Sequence, residues 1–258
     1  MIPRAAQNRP EPQPWEAIWS YLAVELQTSL SVLRADGIHL ADEAPLPRPY
    51  FQPPEGLLAA FHRGESLTIA AAAGFVGFAR SWIHHYPEAS TATSPAGLRW
   101  LRQNLGRGGA RLQVFEQYAL VADDLPARRD PRVRRLVSGD EPLLIAELGW
   151  SPAEATEWVA RGIYAAFVGG RLACRVCTYR LHDHLAEVGV ATREEFRGQG
   201  LATAAVQVAS LDLLRDHHAV LYSCDPENVA SVAVARRLGA HDLGDMVYAL
   251  DEHQTVAP

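Results

Sequence analysis

The sequence predicts an α/β protein built from two halves of similar size. Three observations lead there. Apolar residues recur at three- and four-residue steps over 15–33, the period of a helix. From 133 to 250, short apolar runs alternate with helix-start and helix-stop signals. Between these regions, Asp123–Pro131 (DDLPARRDP) is charged and carries two prolines, the composition of a linker. The expected units are residues 1–127, a smaller N-terminal α/β domain, and residues 128–258.

In the first half, Trp15, Ile18, Trp19, Leu22, Leu26, Leu30 and Leu33 form one apolar face and predict a helix over 15–33. Pro45, Pro47, Pro49, Pro53 and Pro54 break regular structure. Leu67–Ala79 reads as one buried strand, or two joined at Gly74. Ser94 and Pro95 start a helix that Gly106 ends. Arg111–Val121 reads as a strand.

The second half is more regular. Val133–Val137 reads as a strand and Asp140–Leu148 as a helix stopped by Gly149. Ser151-Pro-Ala-Glu154 has the form of a capping box that opens a helix to Arg161. Ile163–Val168 and Arg171–Tyr179 flank Gly169-Gly170, a hairpin turn. Strand Leu185–Thr192, helix Leu201–His217, strand Val220–Cys224, helix Asn228–Leu238 with Gly239 behind it, and strand Asp245–Leu250 complete the order β, α, α, β, β, β, α, β, α, β.

Composition removes several chemistries. All 24 basic residues are Arg, so a Walker-type phosphate loop, a Schiff-base enzyme and a protein kinase each lack their lysine. A net charge of −6 argues against nucleic acid as a partner. The arginines at 128, 129, 132, 134 and 135 read as a solvated segment. The apolar stretch Leu67–Ala79 is 13 residues, too short to span a bilayer. Met1–Pro14 lacks the apolar core of a signal peptide. Three cysteines make no disulfide framework. A cytoplasmic protein away from membranes is expected.

The chemistry concentrates in residues 187–202, EVGVATREEFRGQGLA. A strand ends at Thr192 and a helix begins near Gly200. Between them lies Arg197-Gly198-Gln199-Gly200-Leu201-Ala202. A helix N-terminus offers unpaired N–H groups and the positive end of its dipole. Glycines at 198 and 200 let the backbone approach a bulky anion. Together these can cradle a pyrophosphate.

This stretch resembles the signature of the GNAT superfamily of acyl-CoA-dependent N-acyltransferases: Gln or Arg, two residues, Gly, one residue, then Gly or Ala. Arg197, Gly200 and Ala202 satisfy it. The element order from 133 to 250 is similar too, as is the landmark Asn228, Ser231 and Arg237-Leu-Gly239. The wording also resembles a bacterial branch that includes antibiotic-resistance acetyltransferases, in which an extra N-terminal segment precedes the transferase half. The resemblance implies a GNAT-like C-terminal fold with a mixed, largely antiparallel sheet flanked by helices. It implies acetyl-CoA as co-substrate, no metal, and acetyl transfer to the primary amine of a small molecule. A homodimer is compatible with it. Net charge favours a cationic acceptor.

By position, the resemblance implies that Val190, Ala191 and Thr192 pair with the pantetheine arm. Gly198, Gln199, Gly200, Leu201, Ala202 and Thr203 would supply amides to the pyrophosphate. Arg197 would shape the loop, and Asn228 and Ser231 would reach the arm. Direct attack by an amine needs a base, an oxyanion donor and an acid. Glu187 is the first candidate base and Asp225 the second. The backbone near Val190 would hold the oxyanion. The tyrosine that many members carry seven residues after the Asn is Ala235 here, so Tyr222, Tyr248 or Cys224 would substitute as acid. That departure motivates the alternative, a non-catalytic acyl-CoA-binding sensor. Trp150 and Trp158 fall where the family forms its acceptor groove. Cys174, Cys177, His182 and His184 superficially have zinc-site spacing, but 174 and 177 face opposite sides of a strand.

Overall fold

The computed structural model describes residues 14–41, 56–105, 110–182 and 184–251. The five prolines from 45 to 54 and Gly106 lie outside the described residues.

The first helix is shorter than its periodicity predicts. Helix α1 spans Pro14–Glu25 and a separate turn, α2, spans Leu30–Leu33. Gln27 adopts φ +49°, which ends α1, and the Ser29 hydroxyl accepts from the Val32 N–H to start α2. The apolar pattern runs on because Leu26 and Leu33 enter the same core. Strands β1 (Gly37–Ala41), β2 (Gly56–Arg63) and β3 (Ser66–Ala71) follow. The expected strand over Leu67–Ala79 is therefore half wrong. After β3 the chain makes a 3-10 turn at Ala73–Phe75 and becomes helix α3 (Val76–His85). A short apolar run does not distinguish strand from buried helix. Helices α4 (Ala89–Ala92) and α5 (Pro95–Leu105) and strand β4 (Ala110–Leu120) complete this half, with Ser94 Oγ accepting from the Gly97 N–H.

The second half follows its expected order. It comprises β5 (Val133–Arg135), α6 (Glu141–Leu148), α7 (Pro152–Arg161), β6 (Ile163–Val168), β7 (Arg171–His182) and β8 (Leu185–Thr192). Then come α8 (Leu201–Leu213), β9 (Ala219–Cys224), α9 (Val229–Arg237) and β10 (His241–Asp251). The Ser151/Glu154 capping box is present in full. Gly169 and Gly170 take φ +56° and +79°, as a two-residue hairpin turn requires. Helix α8 ends at Leu213, a turn earlier than predicted.

The ten strands of the described residues form one mixed sheet, in the order β1-β3-β2-β10-β4-β9-β8-β7-β6-β5, flanked by helices. The segment 123–131 thus joins two strands of one sheet rather than two separate sheets. Its polar composition encodes exposure, and nothing in it encodes strand order. The ladders cross the 127/128 division: β4 pairs with β9, while the C-terminal β10 lies between β2 and β4. Three of the five arginines here carry ion pairs, Arg129–Asp212, Arg132–Asp130 and Arg134–Asp140. Helices α8 and α9 cover one face over β4–β9, and α1 covers the other. No helix among the described residues is long and apolar enough to cross a membrane.

Gly244 holds β10 in its central place. It forms a bulge against β4 at φ +119°, and an added Cβ would fall 2.2 Å from the His62 carbonyl oxygen of β2. Gly244→Ala is expected to cost about 3 kcal/mol, from overpacking and left-handed strain together. For a chain of this size the melting temperature should fall by roughly 6–12 °C. A fall under 2 °C in a thermal scan would mean the bulge relaxes freely.

Candidate active site

Strands β8 and β9 run parallel but pair only over Leu185–Glu187 and Ala219–Leu221. Beyond Glu187 they part. On its other side β8 stays fully paired with β7 as far as Thr192. The edge of β8 from Val188 to Thr192 therefore faces a gap in the sheet. Val190, Ala191 and Thr192, expected to meet the pantetheine arm, lie on that edge. The gap follows from the sequence after Thr192, where a 3-10 turn at Glu194–Phe196 swings the chain away toward α8.

The loop into α8 keeps its amides open. Gly198 and Gly200 take φ +77° and +74°, a region where other residues are strained. Apart from the flanking residues in the chain, no heavy atom of the described residues lies within 4 Å of a Cβ built on either glycine. The glycines thus serve backbone shape and face free space. Gly200 is the N-cap of α8, and no side chain caps the helix. The N–H groups of Leu201, Ala202 and Thr203 stand in its first turn, where a helix has no internal acceptors. Arg197 and Gln199 are exposed. An uncapped N-terminus before open space suits a pyrophosphate, so the residues present fit a CoA nucleotide.

Asn228 caps α9, its Oδ1 accepting from the Ser231 N–H at 3.2 Å. Its amide N–H groups remain available. Tyr222, one strand residue from the end of the β8/β9 pairing, is 2% exposed and packs with α8 and α9. Its hydroxyl is buried close to Ser231 and completes no hydrogen bond among the described residues. Burial raises its pKa above the usual 10.0, so the phenol keeps its proton at neutral pH. Asp225 is exposed, and its carboxylate accepts the Glu227 N–H at 2.8 Å, a turn-forming role. Ala235 is buried in the core below α9.

Glu187 lies on the opposite face, since neighbours along a strand alternate. It is 7% exposed, and Ser223 Oγ approaches its Oε1 at 2.6 Å. Ser223 Oγ is also 2.9 Å from Gln117 Oε1. A hydroxyl has one proton. We assign it to Glu187, and Gln117 then presents its amide nitrogen to Ser223. Burial raises the Glu187 pKa to about 7; Ser223 opposes this, and the like charge of Glu25 adds to it.

Glu25 is the functional candidate that the sequence reading missed. It ends α1, is 5% exposed, and accepts from the Tyr248 hydroxyl at 3.3 Å. Burial raises its pKa to about 7 as well, with Tyr248 and Tyr21 opposing. The signal was legible: Ile18, Leu22 and Glu25 are spaced on one helix face, and a carboxylate in that stripe must be buried. Tyr248, offered above as an acid, is bonded to Glu25 instead. Cys224 sits beside Tyr222 in the α8 core, its thiol pushed up to about 11 by burial.

Cys174 and Cys177 enter different cores, Cys174 under α8 and Cys177 under α7. No group of three potential metal ligands occurs among the described residues.

The site is thus an open gap between parallel strands with an uncapped helix N-terminus at its mouth. Residues 153–245 match the family model "GNAT acetyltransferase". No curated protein matches the chain. Among solved structures, a GNAT-family protein from Novosphingobium aromaticivorans is 26% identical, with a TM-score of 0.45 over 55% of this chain and 66% of its own. An acetyltransferase of the GNAT family from Colwellia psychrerythraea is 15% identical, with a TM-score of 0.44 over 60% of this chain and 63% of its own. The chain thus spans just under two thirds of the length of each.

Proposed function

We propose that the protein transfers the acetyl group of acetyl-CoA to the primary amine of a small molecule, with Glu187 as general base. The observation that carries this is the β8/β9 gap, which starts at a buried carboxylate and opens toward the Gly198–Gly200 loop. Bound acetyl-CoA supplies an acyl group already activated as a thioester. Val190, Ala191, Thr192, Asn228 and Ser231 would hold its arm, and the backbone of Gly198–Thr203 its pyrophosphate. Arg197 would add positive charge beside the loop.

Glu187 takes the proton of the attacking ammonium, directly or through a water. A pKa of about 7 suits this: the group is ionised often enough to accept and basic enough to hold the proton. The N–H edge of β8 near Val190 stabilises the developing oxyanion. Tyr222 donates to the departing thiolate. Base and acid come from opposite faces of the sheet, and the strand gap is where both faces reach one ligand. Asp225 is the weaker base candidate, since its carboxylate is solvated and committed to a turn.

The sensor alternative rested on Ala235. Tyr222 offers a protonated phenol from the adjacent strand, which weakens that motive. The test is release of free CoA thiol from acetyl-CoA across a panel of small amines. Turnover with at least one amine, absent without acceptor, is expected. Tight acetyl-CoA binding with no thiol release across the panel would favour the sensor.

A further inference from the structure

The face of the sheet opposite α8 carries a row of rings beyond Glu187. Trp150, in the turn between α6 and α7, lies 6.1 Å from Trp158 of α7. Trp158 meets Tyr179 of β7 edge-on at 5.2 Å. All three pack in the cluster under α6 and α7. Arg175 stands in the same row, its guanidinium 4.9 Å from the Trp150 ring. The β7/β8 ladder sets Tyr179 opposite Glu187 and Arg175 opposite Ala191. Both side chains lie on the Glu187 face, because 175, 179, 187 and 191 are in phase. Gly189 lies between, and a Cβ there would touch the Tyr179 ring at 3.5 Å.

Arg175 has no anion beside it among the described residues. Among the described residues from 128 onward, it is the one part-buried arginine with no carboxylate within 4.0 Å. Arg193, similarly part-buried, has Glu147 at 2.8 Å. Withdrawing a cation from water is costly unless an anion or a ring face compensates it. Trp150 offsets part of that cost through its ring face. A guanidinium's five donors in a fixed fork match a carboxylate. The local charge here opposes the cationic acceptor suggested by the net charge of −6.

We propose that Arg175 with Trp150, Trp158 and Tyr179 forms the acceptor subsite, and that the acceptor is an α-amino acid with an apolar or aromatic side chain, its carboxylate held on Arg175. This rests on the acetyl-transfer reading above. The rings receive the side chain, and the α-amine lies along the Gly189–Ala191 edge of β8. Ala191 and Glu187 are four residues apart, about 13 Å along a strand. A small acceptor anchored on Arg175 therefore passes its proton to Glu187 through water.

The experiment compares CoA release with L-phenylalanine, L-tryptophan and L-leucine against their decarboxylated amines. In the wild type, kcat/KM should favour the acids by about 10- to 100-fold, the value of a charged hydrogen-bonded pair. Arg175→Met should raise KM for the acids by a similar factor. It should leave the decarboxylated amines and the KM for acetyl-CoA unchanged, and Arg175→Lys should recover part of the loss. Decarboxylated amines turned over as well as the acids would overturn the assignment while acetyl transfer stands. So would an Arg175→Met effect equal on both series, or one on acetyl-CoA alone. No release with either series, while another amine of the panel is acetylated, would overturn the assignment and leave acetyl transfer standing; no release with any amine of the panel would remove both. The wild-type ratio needs no variant, so the comparison decides even if Arg175→Met does not fold.

Discussion

Glu187→Gln is expected to cut kcat by about 10²- to 10⁴-fold, the usual worth of a positioned base, without weakening acetyl-CoA binding. The amide keeps the shape and can still bond Ser223, so the fold should survive. In the wild type, kcat/KM should rise with pH through about 7 as Glu187 ionises. The variant should lose that limb. Glu25→Gln is a separate probe of the same cluster. It removes a like charge that helps raise the Glu187 pKa, so the limb should move to lower pH while the maximum rate changes little. The stability sign runs the other way from the rate. Both carboxyls have folded pKa values raised from 4.5 to about 7. The folded state then binds more protons than the unfolded one over that window. The contribution of each group is fully present below pH 4.5 and is lost as pH rises through about 7. Urea midpoints of either Gln variant should therefore depend less steeply on pH between 4.5 and 7. A Glu187→Gln enzyme with unchanged kcat and an unchanged limb would place the base elsewhere.

Much of the C-terminal half was legible because its local signals agree with its tertiary roles. The Ser151/Glu154 capping box, the Gly169-Gly170 turn and the Gly149 stop are local devices, and each appears where predicted. The N-terminal half was less legible. Over Leu67–Ala79 the run is apolar throughout, so neither a period of two nor of 3.6 marks the change from strand to helix. Across 15–33 the period persists through a break made by Gln27, whose left-handed backbone has no compositional signal. Strand order was beyond reach. That β10 enters between β2 and β4 depends on pairings across nearly 200 residues, and no local residue choice encodes them.

The candidate site divides the same way. The Arg197–Ala202 loop is contiguous and its glycines have a backbone reason, so it was readable. The carboxylate cluster is assembled from α1, β4, β8, β9 and β10, and only Glu187 and Ser223 lay near the motifs. The burial of Glu25 was legible on α1, but its place in the cluster with Glu187 was hidden by distance in the chain. The strand crossing explains why it matters: by placing β4 beside β9 and β10 beside β4, the fold brings α1 over the start of the gap. The N-terminal half thereby contributes Glu25, Gln117 and the Tyr21 contact to a cluster that includes the candidate base.

Gly200→Trp is expected to abolish stabilisation by acetyl-CoA. In the wild type, ligand at about 100 times its dissociation constant adds roughly 2.7 kcal/mol. For a chain of this length that raises the melting temperature by roughly 5–11 °C. The variant places an indole in the free space before α8, where the pyrophosphate would lie. It also forces a bulky residue to φ +74°, at a cost of about 1–2 kcal/mol. The ligand-free variant should thus melt a few degrees lower yet remain folded, since beyond its chain neighbours no described residue lies within 4 Å of the new Cβ. Gly200→Asn separates the two effects. Asn tolerates a left-handed backbone and is small, so it should keep most of the acetyl-CoA shift. If Gly200→Trp retained the full shift, the cofactor would bind away from the Gly198–Gly200 loop. The amides of α8 would then be a solvated helix start, and Glu187 would lose its place beside a transferable acyl group. If both variants lost the shift equally, the loop would need glycine for its shape rather than for the space it leaves.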